Sequence, residues 1–191
     1  LWLLEGHKVK GWTIEQEVYE SITMEGMNHK YLPDHSLDGL EATMHVEEAL
    51  EGSEIIVLAV PSSVILNVVE DIIPHLRPGH VLLDLAKGLA PGKRLISEAI
   101  HQMLEEKNMH NPLAVLTGPT IAPEAAGGVM TTALVASEDV SVAENLASTL
   151  TTPTFILHPA SDPVGAELWG AFKNVVALAC GLVDGLKKTG S

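Results

Sequence analysis

The sequence predicts an α/β protein with a doubly wound, mostly parallel sheet. Two observations carry this. Short apolar runs of five to seven residues alternate with helical stretches of ten to sixteen, and the apolar share of 46% contains only 4% aromatics, so Leu, Val, Ile and Ala supply it. Such runs suit strands buried on both faces, and the helices between them suit right-handed crossovers.

The elements follow in order. "LWLLEG" (1–6) reads as the last turn of a helix closed by Gly6, so the chain is expected to begin inside a domain. "HKVKGW" (7–12) is a short strand, followed by a polar stretch to about residue 40 with turn formers in "YLPDHSLDGL". "HVEEALEG" (45–52) is a short helix ending at Gly52, "EIIVLAV" (54–60) a buried strand, and "SSVILNVVEDII" (62–73) a helix stopped by Pro74. The cycle repeats with strand "HVLLDL" (80–85), an amphipathic helix over 92–107, strand "LAVLT" (113–117), strand "TTALVAS" (131–137), a helix over 139–150 and strand "TFILH" (154–158). "HPASDP" (158–163) marks a boundary before a long helix from about Val164, dividing the chain into domains at 1–162 and 163–191. The segment after Pro163 is too short to bury a core, so this helix is expected to open a second, helical domain that lies mostly outside the chain.

Composition narrows the function. With 11 basic against 25 acidic residues the net charge is −14, which repels phosphate backbones, so no nucleic-acid partner is expected. A lone cysteine, Cys180, excludes an internal disulfide and agrees with a reducing, cytoplasmic setting; packing is its expected use. The apolar helix carries Glu167, Lys173, Asn174 and Asp184, too many polar groups for a membrane span. The nine histidines show no i, i+4 pair, and no metal site is expected.

In open α/β sheets ligands bind beyond the carboxyl ends of the strands. Three strand ends draw notice: Pro61-Ser62, Lys87-Gly88 and Thr117-Gly118-Pro119-Thr120. Singly, each has an ordinary use, the glycines and prolines as turn residues, Lys87 as a solvated loop lysine, the threonines as caps. Together on one edge they make a bed for an anionic or polyhydroxylated small molecule. On the long helix, Ala166, Gly170, Ala177, Cys180 and Gly181 share a face with Lys173, leaving a groove of small residues beside the amine. Lys173 is then either a base or a lysine paired with Glu167 or Asp184 or reaching water; Asn174 is either a buried, satisfied amide or a ligand contact.

Five motifs occur in order: "NHKYLP" (28–33), "AVPS" (59–62), "AKGL" (86–89), "TGPTIAPE" (117–124) and "GAELWGAFKNVVALACGLVDG" (165–185). On these the chain, from about Leu1 to Asp184, resembles the bacterial-type NAD(P)-dependent glycerol-3-phosphate dehydrogenases. The resemblance implies a Rossmann-type sheet followed by the first helix of an all-α substrate domain. It also implies an oxidoreductase interconverting sn-glycerol 3-phosphate and dihydroxyacetone phosphate, supplying phospholipid synthesis. Lys173 matches the catalytic lysine, and Lys87, Gly118, Thr120 and Asn174 match substrate-binding positions. Trp12, Pro61, Lys87 and Ala122 match cofactor contacts. A small phosphorylated triose is the implied partner, with a homodimer left open.

Two departures qualify the resemblance. The Gly-rich phosphate turn that follows the family's first strand is not in this sequence, and Trp12-Thr13-Ile14 stands where the family commonly has Trp-small-Arg, which favours NAD over NADP. The family's second domain supplies an aspartate and an Arg-Asn pair, so the chain alone is expected to be inactive. The competing readings are another member of the 6-phosphogluconate-dehydrogenase-like superfamily, such as a β-hydroxyacid dehydrogenase or ketopantoate-type reductase, and a catalytically silent binding module.

Overall fold

The computed structural model describes residues 1–189. Before the main sheet come β1 (Lys10–Trp12), α1 (Gln16–Glu25), β2 (Met27–Asn28), β3 (Leu32–Ser36), β4 (Glu41–Thr43) and α2 (Val46–Leu50). β1 pairs in parallel with β4, and β2 pairs antiparallel with β3. The polar stretch up to about residue 40, read from sequence only for its turn formers, therefore holds a helix and a hairpin. α1 escapes a periodicity reading because only Val18 and Ile22 of its ten residues are buried. It stops at Gly26, whose φ of 65° is the left-handed cap conformation glycine adopts without steric cost.

The main sheet has five strands in the order β5 (Ile55–Leu58), β6 (Val81–Asp84), β7 (Leu113–Thr117), β8 (Thr131–Ala136) and β9 (Phe155–Ala160). β5, β6 and β7 run parallel; β8 turns back antiparallel to β7, and β9 follows β8 in parallel. The mostly parallel expectation holds, and the three predicted strand ends do open on one edge.

Helices cover both faces: α3 (Ile65–Ile72), α4 (Ile96–Glu106), α5 (Ala122–Ala126) and α6 (Val140–Leu150). Alternation along β6 shows why the runs are continuously apolar. Leu82 joins Ile65, Val69, Ile96 and Ile100 on one face, while Leu83 joins Val135, Leu146 and Phe155 on the other. At the amino-terminal end of the sheet, Asn111 Nδ2 donates to the carbonyls of Arg77 (2.7 Å) and His80 (2.9 Å), and Arg77 N donates to His80 Nδ1 at 3.1 Å. Between β1 and β5 lies a cavity of about 610 Å³, with Val9, Gly11, Ile55, Val57 and Leu150 among its walls.

The last element, α7 (Pro163–Thr189), is a helix of 27 residues. Its first turns pack on β7 and β8, burying Ala166 and Glu167. Beyond Phe172 the helix leaves the sheet, and Val175, Leu178 and Leu182 are exposed. Cys180, expected to pack, is exposed for the same reason. Pro163–Lys187 is long and apolar enough to cross a bilayer by length and composition. Its start is nevertheless spent on the sheet, and Glu167 there is 2% exposed.

Candidate active site

The rim is assembled from the turns after β5, β6 and β7. β6 ends at Asp84, which has no solvent exposure; its Oδ1 accepts the Ala86 amide hydrogen at 2.8 Å and thereby shapes the turn into Lys87. Gly88 backs onto the β5 loop so closely that a Cβ there would lie 2.8 Å from Ser62 Oγ. Gly118 does the same against β8, where a Cβ would meet Ala133 Cβ at 2.9 Å and Thr132 O at 3.0 Å. These close approaches explain two of the rim glycines.

Across this rim stands α7. Gly170 lets it approach β7, since a Cβ there would meet Thr117 Oγ1 at 2.7 Å. Glu167 fixes its rotation: Oε1 accepts the Ile96 amide hydrogen, and Oε2 accepts from the Ser97 amide (3.3 Å) and hydroxyl. Those are the first residues of α4, whose N-cap Leu95 has no side-chain acceptor. With α7 set in this way, Lys173, less than two turns further on, reaches Gly118 O at 3.1 Å.

Two lysines therefore converge. Lys87 Nζ donates to Thr120 Oγ1 at 3.3 Å and Lys173 Nζ donates to Gly118 O, so the rim and helix contributions meet over one loop. Burial, and next the Lys173 ammonium beside it, hold the Lys87 amine below the ordinary lysine range. Among the described residues neither lysine forms an ion pair, so this corner is positive in an otherwise acidic protein. Such a corner can hold an anionic or carbonyl oxygen, stabilise charge developing on it, and exchange a proton with it.

The structure thus brings together Lys87, Gly118, Thr120 and Lys173. Thr120 serves Lys87 and is no cap; Thr117 is buried against Gly170. The alternative pairing of Lys173 with Glu167 does not occur, because that carboxylate serves α4. Asn174 is exposed on α7, so the buried-amide reading fails; it follows Lys173 by 100° around the helix. Pro61 and Ala122 are exposed at the rim, Ala122 as the first residue of α5. Trp12 closes β1, half-buried, with Nε1 donating to Met44 O at 3.3 Å.

Two residues of the site were not singled out from sequence as site-builders, Glu167 and Asp84. A carboxylate inside the apolar run "VLLDLA" was the signal for Asp84, and the Leu at the start of α4 was the signal that a distant acceptor caps it. The rim fits a dinucleotide in part: Lys87, Thr120 and the strand-end turns offer donors along one edge, while the Gly-rich turn is not in the sequence. Among the described residues no group of three or more His, Cys, Asp or Glu is placed to hold a metal.

Comparison with known proteins follows the same geography. Residues 3–143 match a family model described as the NAD-dependent glycerol-3-phosphate dehydrogenase N-terminus, and residues 162–191 match its C-terminus counterpart. The chain is 37% identical to glycerol-3-phosphate dehydrogenase [NAD(P)+] of Syntrophotalea carbinolica, over 95% of this chain and 55% of the relative. It is 41% identical to the same enzyme of Rhodospirillum rubrum, over 95% of this chain and 51% of the relative. A crystal structure of glycerol-3-phosphate dehydrogenase from Coxiella burnetii superimposes with a TM-score of 0.85 at 31% identity, covering 97% of this chain and 56% of that one. The chain spans about half the length of the curated relatives it matches.

Proposed function

This chain belongs to the NAD-dependent glycerol-3-phosphate dehydrogenase family, and we propose that the whole protein interconverts dihydroxyacetone phosphate and sn-glycerol 3-phosphate with NAD, NADP ranking second. The observation that carries this is the meeting of Lys87 and Lys173 over the 118–120 loop. When bound, the nicotinamide supplies hydride to the substrate's C2 or takes it up. Lys173 gives a proton to the C2 oxygen during reduction and takes it back during oxidation, its amine aimed by the Gly118 carbonyl. Lys87, aimed by Thr120, holds the substrate oxygens on the rim side and borders the cofactor. Gly118 and Thr120 shape the substrate loop, while Asn174 orients substrate from the helix. Trp12, Pro61 and Ala122 line the cofactor's path.

The division at 162/163 makes residues 1–162 the dinucleotide-binding domain and 163–191 the first helix of the substrate domain. The exposed Val175, Leu178 and Leu182 support this, since an apolar face on a long helix fits a seam with further helices better than free solvent. The acidic balance and single cysteine support a cytoplasmic enzyme acting on a small phosphorylated triose. The test is to express the whole protein and follow NADH loss with dihydroxyacetone phosphate. Turnover is expected; turnover with hydroxyisobutyrate or ketopantoate substrates, and none with this phosphate, would refute the reading.

A further inference from the structure

We propose that Asp84 is a positioning residue for Lys87, its Oδ1 holding the Ala86 amide hydrogen from beneath the rim and so fixing the turn that presents the lysine. Asp84 is the last residue of β6, in register with Leu58 of β5 and Val115 of β7, and has no solvent exposure. A carboxyl in the middle of a sheet is costly where an aliphatic side chain would fit, so its presence calls for a compensating role. Holding the Ala86 amide is that role, since Oδ1 makes this bond while Oδ2 has no hydrogen-bond partner among the described residues. Ala86 adjoins Lys87, and the turn is then tied at two further points, Lys87 to Thr120 and Gly88 against Ser62. Without the floor contact, only the outer two ties remain to hold it.

The surroundings add a pH dependence. Leu58 and Val115 bring no charge, and Glu70 and Asp71 of α3 and Glu98 of α4 are exposed. Glu167 of α7 is the charged group whose field reaches Asp84, and Lys87 on its own loop is directed to Thr120. Burial first, and Glu167 as well, push the Asp84 carboxyl up to about 7, against the pull of the Ala86 amide. Near neutrality the Ala86 bond therefore passes from a neutral acceptor to a stronger, charged one.

The consequence for catalysis rests on the dehydrogenase reading, but the test reads Lys87 directly and uses no substrate, so the two can fail separately. The lysines of the whole protein are reductively methylated with ¹³C and the Lys87 signal is assigned by its loss in Lys87→Arg. In wild type that signal stands apart from those of solvated lysines. At pH 5, where the Asp84 carboxyl holds its proton, Asp84→Asn, which keeps an acceptor oxygen, leaves it there. Asp84→Leu returns it to the solvated position and speeds Ala86 amide exchange by ~10-fold, with Leu82 and Leu83 amides unchanged. An Asp84→Leu chain with unaltered Lys87 and Ala86 overturns the proposal, as does Asn behaving like Leu. Should Asp84→Leu not fold, wild type against Asp84→Asn decides: the Lys87 signal and the Ala86 amide chemical shift share a step centred at about pH 7 in wild type that the variant lacks. A wild type in which neither moves overturns it.

Discussion

Glu167 Oε2 accepts hydrogen bonds from both the amide and the hydroxyl of Ser97, so a carboxylate 70 positions away caps α4. The same contact orients α7, which makes one residue responsible for a helix end and for the aim of Lys173. Glu167→Ala leaves two buried N–H groups without acceptors and is expected to cost about 2–4 kcal/mol. Glu167→Gln keeps an acceptor oxygen and should cost less. Urea unfolding gives the energies, and amide exchange at Ile96 and Ser97 locates them. Equal costs for Gln and Ala would mean that Glu167 acts through packing alone.

That cap also marks where sequence reading stops. Strands β5, β6 and β7 were legible because residues such as Leu82 and Leu83 are buried on opposite faces, which forces unbroken apolar runs. Lys87, Gly118 and Thr120 were legible as strand-end residues, and Lys173 as a cation in an apolar helix. α1 was not, because Val18 and Ile22 make too thin a stripe. The reversal of β8 was not, because "TTALVAS" has the same apolar pattern in either direction. The partners of Glu167 and Asp84 were not, since a contact across 70 positions, or a turn bond under a rim, leaves no periodicity.

Gly118 should resist substitution for a reason separate from the chemistry. Gly118→Ala drives a methyl into Ala133 and the Thr132 carbonyl, which are sheet backbone and its adjoining Cβ and cannot rotate aside. The expected cost is about 1–3 kcal/mol, a fall of several degrees in Tm for a chain of this size. Gly79→Ala, where a Cβ meets nothing within 4 Å, is the control and should change Tm little. Calorimetry on both variants checks this; equal melting points would show that the 118–120 loop gives way freely.

In the whole protein, Lys173→Ala is expected to lower kcat by ~10²-fold or more, the range of a lost general acid–base group. The Gly118 carbonyl then loses its donor, so a modest loss of stability should accompany it. Steady-state kinetics with dihydroxyacetone phosphate and NADH measure the first. A near-wild-type kcat would make Lys173 a structural residue.

Acid should loosen the opposite end of the sheet. His80 is 3% exposed and accepts the Arg77 amide hydrogen at Nδ1, which protonation would block. Burial, then the Arg77 charge, hold its ring below the ordinary histidine range. The unfolded chain therefore takes up a proton first, so this contribution is present above the ordinary value of 6.5 and is lost as pH falls below it. His80→Asn keeps an acceptor near the Nδ1 position without titrating. Denaturation midpoints of wild type should fall relative to this variant on acidification; parallel curves would show that His80 does not titrate with folding.

Asp84 acts in the opposite sense. Its carboxyl is raised from the ordinary 3.8 to about 7, so below about 4 both folded and unfolded chains hold the proton and no penalty arises. As pH rises from about 4 to about 7 the unfolded chain ionises while the folded one does not. Folding stability therefore declines through that window by an amount on the order of 4 kcal/mol, then levels off. Because the His80 contribution grows across part of the same range, the wild-type curve alone would hide both. The difference between wild type and Asp84→Asn isolates this one: chemical denaturation from pH 5 to 8 should show the wild type losing ground to the variant with rising pH, mostly before neutrality. A wild type that gains on the variant over that range would mean that Asp84 is ionised in the folded protein, with Oδ2 satisfied by a donor.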